Sequence, residues 1–298
     1  MKRVFITILF LGMFFSTWAV RPYFRIGQSH ESVHDLTAEV TKLLLGHDFE
    51  VLGMYHPNDD KDLCVIVFTC DQMTSMATSV ADKGAFGAAL KVGLVGHDNG
   101  MTDITLLNPH YIKQAYFSTN TNRYEAVKMT AVTDSLIKEA LSPLVSDSTY
   151  YGKDIPKEEL WEYHFMPTMA KYEDTVELNE FSEYLEAIAT IKTNLLKGVE
   201  CCELVYELTF DDKEIAIFGV SFNGEEDIEK ELIELLGIDC ITSMPLEILV
   251  QGNKAFILNG RYRIPVFKTD LSRSKVLKIF DIASDVKSCL KTVVEWED

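Results

Sequence analysis

The residues best placed to do chemistry are His30-Glu31-Ser32-Val33-His34, which match the His-Glu-x-x-His pattern. On a helix that spacing turns both imidazoles to one face for zinc and sets the glutamate beside a metal-bound water. The neighbouring residues argue against that use. Ser32, with Asp35 three residues on, forms the better helix cap, which leaves His30 ahead of the helix and off the shared face. Asp35 directly follows the second histidine, and only a short extended piece, Tyr23-Phe-Arg-Ile, precedes the motif, with no sheet expected before it to build a cleft. A zinc-dependent hydrolase on these residues is the alternative reading, and no resident metal or cofactor is expected.

Three other groups invite a function. Tyr163-His164-Phe165-Met166-Pro167-Thr168-Met169 offers soft copper ligands. Read as a strand, it puts His164 and Met166 on one face and Met169 on the other, and methionine among aromatics is more often core filler. Gly84-Ala85-Phe86-Gly87 lacks the Lys-Ser/Thr of a phosphate loop. Arg261 and Arg263 alternate with Tyr262 and Ile264 near Glu247. Two guanidinium groups on one face beside an aromatic ring suit a small anion such as a carboxylate. The matching region of the first half supplies His110 and Tyr111 after Asn108-Pro109. Arg261, Arg263, Glu247, His110 and Tyr111 are therefore the expected ligand-binding residues. No catalytic residue is assigned, since no Ser-His-Asp set, Cys-His pair, Walker loop or dinucleotide fingerprint stands out.

The elements that must hold these residues occur twice. Thr37–Leu45 reads as an amphipathic helix that stops at Gly46, and Ala187–Lys197 as one that stops at Gly198. Each helix is followed by a strand, an acidic turn and a second strand ending near Leu63–Thr69 or Glu214–Phe222. A polar helical stretch comes next, then a strand pair ending in Ala115-Tyr116-Phe117 or Pro265-Val266-Phe267, then a closing helix. A repeat of this length means two similar domains, because solenoid periods are far shorter. The expected boundaries are a first domain at 20–145, a polar linker at 146–160 and a second domain at 161–298, opening with a strand near Glu162–Thr168. Mostly antiparallel strand pairs with helices at separate points read as α+β.

Composition narrows the role further. The 298 residues are 47% hydrophobic and 25% charged, with net charge −18, values of a folded protein with room for two cores. The charge is about −6 over residues 21–150 and about −14 beyond. Such a field repels phosphate backbones, and no basic cluster offsets it, so nucleic acid is not an expected partner. Lys2 and Arg3 precede an apolar run from Val4 to Phe15, with Thr17-Trp18-Ala19 behind it. That pattern predicts an export signal at residues 1–19, or an uncleaved inner-membrane anchor through residues 4–20, and hence a periplasmic protein. Export permits disulfides. Yet Cys64 and Cys70 lie about 20 Å apart on one strand, and no Cys-x-x-Cys occurs. Small buried hydrophobes are the expected role of the six cysteines.

The segments Lys83-Gly-Ala-Phe-Gly-Ala-Ala-Leu-Lys-Val-Gly-Leu, Asn108-Pro-His-Tyr and Gln114-Ala-Tyr-Phe resemble a bacterial family known as domain of unknown function 302. In the second half Trp161-Glu-Tyr-His-Phe-Met, Leu246-Glu-Ile-Leu-Val and Asn259-Gly-Arg-Tyr-Arg-Ile are similar to it as well. The resemblance covers most of residues 30–295 as two copies. It implies two tandem TBP-like α+β domains, each a curved antiparallel sheet with helices packed on one face, and no particular activity. The second copy departs from the first after its middle helix, where Ile238-Asp-Cys-Ile-Thr-Ser-Met-Pro replaces the glycine-alanine stretch. The expectation is thus an exported bacterial binding or interaction protein with no covalent chemistry of its own. Its partner would be a small-molecule anion or a protein of the envelope, with a structural envelope role as a further alternative.

Overall fold

The computed structural model describes residues 19–81, 83–117, 123–199, 202–224 and 227–295, with backbone alone over 123–127. The expected signal or anchor lies outside the described residues except for Ala19. The first half runs β1 (Ala19–Val20), β2 (Tyr23–Ser29), α1 (Val33–Leu45), β3 (Glu50–Tyr55), β4 (Leu63–Thr69), α2 (Asp71–Ser79), β5 (Leu90–Gly96), β6 (Thr102–Leu107), α3 (Pro109–Tyr116) and α4 (Arg123–Ala140). Short elements β7 (Thr149–Tyr151), β8 (Ile155–Pro156) and α5 (Lys157–Trp161) follow. The second half runs β9 (Val176–Glu180), α6 (Tyr184–Lys197), β10 (Cys202–Phe210), β11 (Ile215–Phe222), α7 (Ile228–Leu236), β12 (Leu246–Gln251), β13 (Lys254–Ile257), α8 (Gly260–Val266) and α9 (Val276–Val293).

The protein is α+β, with two open antiparallel sheets and helices packed against them. The first sheet has the order β3-β4-β5-β6-β2-β7 and the second the order β10-β11-β12-β13-β9. Every pairing is antiparallel. Leaving β7 aside, each half places its first strand at the far side of its last and its second strand at the free edge. Period-two alternation sets the two faces of each strand. In β5, Val92 and Leu94 alternate with Lys91, Gly93 and Val95. Helix α1 packs on β3, β4 and β5, presenting Val33, Leu36, Val40 and Leu44 at helical spacing. Ser32 caps it by accepting the Asp35 N–H.

The opposite faces meet across the two halves. The turn Ile238–Ser243 lies on β5 and β6 of the first sheet, and the turn Gly84–Gly87 lies on β11 and β12 of the second. Each half therefore receives the other's connection, the segment between its middle helix and its third strand. Two glycines allow the approach. A Cβ on Gly93 would fall 2.8 Å from Thr242 Cγ2, and one on Gly53 would fall 2.1 Å from the Val205 carbonyl oxygen. Gly53 and Val205 lie in the edge strands β3 and β10, where both strands shift register, between Val51 and Gly53 and between Leu204 and Tyr206. The hydrophobic core runs through both halves as one cluster.

Several expected elements differ. Ala115-Tyr116-Phe117 and Pro265-Val266-Phe267 end helices α3 and α8, not strands. The signal was the asparagine in front of each: Asn108 accepts the His110 N–H at 3.0 Å and Asn259 the Arg261 N–H at 3.1 Å, and Pro109 sits at N1. Residues 162–168 form turns where a strand was expected, because Pro167 supplies no backbone donor. The second half's first strand is β9. The stretch 146–160 carries β7, which pairs with β2, and β8, which pairs with β1, so it is built into the fold.

Candidate functional site

Lys91 of β5 and Glu247 of β12 occupy matching places. Lys91 stands opposite Val67, itself opposite Gly53, while Glu247 stands opposite Gly219, itself opposite Tyr206. Their side chains meet in an ion pair between the halves, about 4% and 3% exposed. Arg263 of α8 joins from the other side, its guanidinium 3.4 Å from Glu247 Oε2 and hydrogen-bonded to the Ser243 carbonyl. The same guanidinium stacks on Phe267, 4.1 Å from the ring centre. Burial pulls the Lys91 amine down, against Glu247, which holds it up, with Arg263 adding to the fall.

A ladder of tyrosine hydroxyls flanks this cluster. Tyr111 donates to the Val266 carbonyl, and Tyr262 donates to the Ala115 carbonyl at 2.9 Å. Counted from the capping asparagines, Tyr111 matches Tyr262 and Ala115 matches Val266, so the two bonds are reciprocal. Tyr163 donates to the Pro265 carbonyl at 3.0 Å and Tyr23 to the Phe267 carbonyl at 2.9 Å. Three consecutive carbonyls at the C-terminus of α8 are satisfied in this way, which a helix end buried from water requires.

The expected ligand-binding set is thus divided. Arg261 and Arg263 sit two apart on a helix, about 200° around its axis, and do not share a face. Arg261 is exposed and lies over Phe280, 4.1 Å from the ring centre. Tyr111 is fully buried, and burial raises its hydroxyl well above the ordinary range. His110 points its Nε2 at Asp134, 3.5 Å away. Only Glu247 and Arg263 come together, and each already has a partner. The Arg263 fork is held inside the fold by Glu247 and the Ser243 carbonyl, while that of Arg261 stands apart from it on the surface.

His30 precedes α1 while His34 lies within it, so the zincin face is not formed. Among the described residues, no group of three or more His, Cys, Asp or Glu side chains is arranged to hold a metal. His164 and Met166 lie in turns, and the strand face that would have paired them is absent. Cys64, Cys70 and Cys240 are free thiols, all three buried, and Cys201 lies outside the described residues.

Open space lies elsewhere. A cleft of about 630 Å³ is lined by Lys153, Asp154, Glu158, Glu159, Glu162, Tyr163, His164, Phe165, Leu271 and Arg273. A second cavity of about 230 Å³ shares Lys153 and is lined by Tyr23, Tyr151, Asp239, Cys240, Phe267, Lys268 and Asp270. The segments 151–165 and 267–273 contribute to both spaces, and in the larger one the carboxylates outnumber the lysine and arginine. Asp154 is partnered by Arg21 at 2.8 Å, and the Lys268 amine caps the Leu236 carbonyl at 2.7 Å. Tyr23 and Tyr151 stack at 5.1 Å as one wall of the smaller cavity. Sequence reasoning passed over this region because 146–160 read as a linker, although Glu158, Glu159 and Glu162 beside two aromatics were visible.

One further buried carboxylate joins the halves. Glu229 of α7 accepts the Asn58 N–H at 2.7 Å and the Phe222 N–H at 3.1 Å. Burial nevertheless pushes its carboxyl up to about 7. No protein-family model matches the chain, and no curated protein matches it.

Proposed function

We propose that the chain is an exported bacterial binding protein built from two tandem TBP-like α+β domains, which holds its ligand non-covalently in the cleft walled by residues 151–165 and 267–273. The observation that carries this reading is the open cleft of about 630 Å³ with Glu158, Glu159 and Glu162 on its lining beside Tyr163 and Phe165. A concave site with aromatic walls and a few charged groups is the usual form of a small-molecule or peptide site. The shared strand order of the two sheets, with Lys91 and Glu247 at matching positions, supports the tandem arrangement.

The lining favours a cation over the expected anion. Glu159 and Glu162, exposed and without an ion-pair partner among the described residues, attract an amine directly, whereas Arg263 would have to leave Glu247 to receive an anion. A polyamine or a basic peptide segment fits this chemistry. Calorimetric titration of the full chain with spermidine, and with succinate as the anionic control, tests it. Spermidine should bind, succinate should not, and Glu159→Gln with Glu162→Gln should weaken spermidine on the order of tenfold, the effect shrinking with added salt. Succinate binding in preference to spermidine would overturn the cationic reading.

A further inference from the structure

Lys113 is a buried lysine without an ion-pair partner among the described residues. It is the fifth residue of α3, and counted from the capping asparagines the matching residue of α8 is Ile264, buried like its counterpart. Lys113 therefore occupies a place shaped for an apolar side chain, and it is only 4% exposed. It lines a void of about 10 Å³ with Met73, Met76, Leu90 and Phe117. Helix α5 brings Lys157 toward it, α4 brings Thr130 and Thr133, and the Gly84–Gly87 turn brings Gly87. Among the described residues no carboxylate pairs with its amine.

A lysine desolvated in an apolar pocket beside a second cation is the arrangement that makes an amine nucleophilic near neutral pH. Both influences operate here: burial first, then the charge of Lys157, lower the amine to about 8. At pH 7 such an amine is roughly 10% free base, against about 0.03% for an ordinary lysine.

We propose that Lys113 is a reactive amine that condenses with small carbonyl compounds to form a stoichiometric Schiff base. The nitrogen lone pair attacks the carbonyl carbon and the carbonyl oxygen takes up a proton, giving a carbinolamine. Loss of water, with the oxygen from the carbonyl and hydrogen from the amine, then leaves the C=N bond. The void as it stands holds no more than about one water, so only the smallest aldehydes and ketones are candidates, and they enter as the unbranched Met73 and Met76 side chains move aside. This site is separate from the acidic cleft and does not rest on the binding reading.

The test is reductive alkylation of the folded full chain with acetaldehyde and cyanoborohydride, mapped by peptide mass spectrometry. The imine carbon accepts hydride from the reductant, so each adduct is recorded as N-ethyl-lysine. Lys113 should be ethylated on the order of tenfold faster at pH 7 than Lys61 and Lys287, both exposed. Its rate should level off above about pH 8, and Lys157→Gln should slow Lys113 at pH 7 severalfold while leaving Lys61 unchanged. An unmodified Lys113, a rate no faster than that of Lys61, or a rate that climbs steadily to pH 10 would each overturn the proposal.

Discussion

Glu247 sits buried between two cations, and its neighbours depend on its charge. Removing one member of a buried ion cluster costs about 3–5 kcal/mol because the remaining charge is stranded. Glu247→Leu should therefore lower the free energy of unfolding by about that amount, read from urea midpoints. Replacing Lys91, Glu247 and Arg263 together by Met, Leu and Met should restore most of the loss, since the pair is expensive to desolvate. Glu229 makes a different prediction. Its folded pKa of about 7 lies above the ordinary carboxyl value, so the native state holds a proton that the unfolded chain releases. Its contribution to stability is complete below about pH 4.5 and is lost as pH rises through about 7, on the order of 3 kcal/mol in all. Glu229→Gln should thus grow more stable relative to the parent across that window, and a flat difference between the two would contradict the assignment. Of these residues only Glu247 and Arg263 were visible as a pair in the sequence. Lys91 was not, because its partner lies 156 residues away and only strand register reveals their matching positions.

At the scale of elements, the C-terminus of α8 decides how the halves meet. Its last carbonyls, for which the helix supplies too few donors, accept hydrogen bonds from the hydroxyls of Tyr163, Tyr111 and Tyr23. Tyr111→Phe should cost about 1 kcal/mol, or somewhat more because the Val266 carbonyl is left buried and unpaired. Tyr262→Phe should cost a similar amount, and the double variant should show less than additive loss if the reciprocal bonds act as a unit. The helices, the glycine stops at Gly46 and Gly198 and the hairpin strands were legible because periodicity and caps are local. Helices α3 and α8 were misread because Tyr262, Arg263 and Ile264 alternate like a strand, and the asparagine caps carry more weight than that alternation over so short a span. The turns at 162–168 were missed for a related reason: aromatic-rich residues suggest a strand until Pro167 is given its due.

Across the whole molecule, two sheets of like connectivity face each other through exchanged turns, and buried side chains fill their junction. This arrangement places the accessible chemistry at the side of the junction, where 151–165 and 267–273 stand apart. The strand pairs that the sequence suggested are found in the two open antiparallel sheets. The cleft could not be read from the sequence, since it is made by segments more than a hundred residues apart and by an ordered stretch that has linker composition. The acidity of the second half, by contrast, was plain and fits a cationic ligand better than the anion that Arg261 and Arg263 first suggested. The most direct measurement is hydrogen–deuterium exchange of the full chain with and without saturating spermidine. The account predicts slower exchange confined to residues 157–165 and 267–273. Protection centred on α1, or on the exposed face of β10, with the cleft segments unchanged, would contradict it.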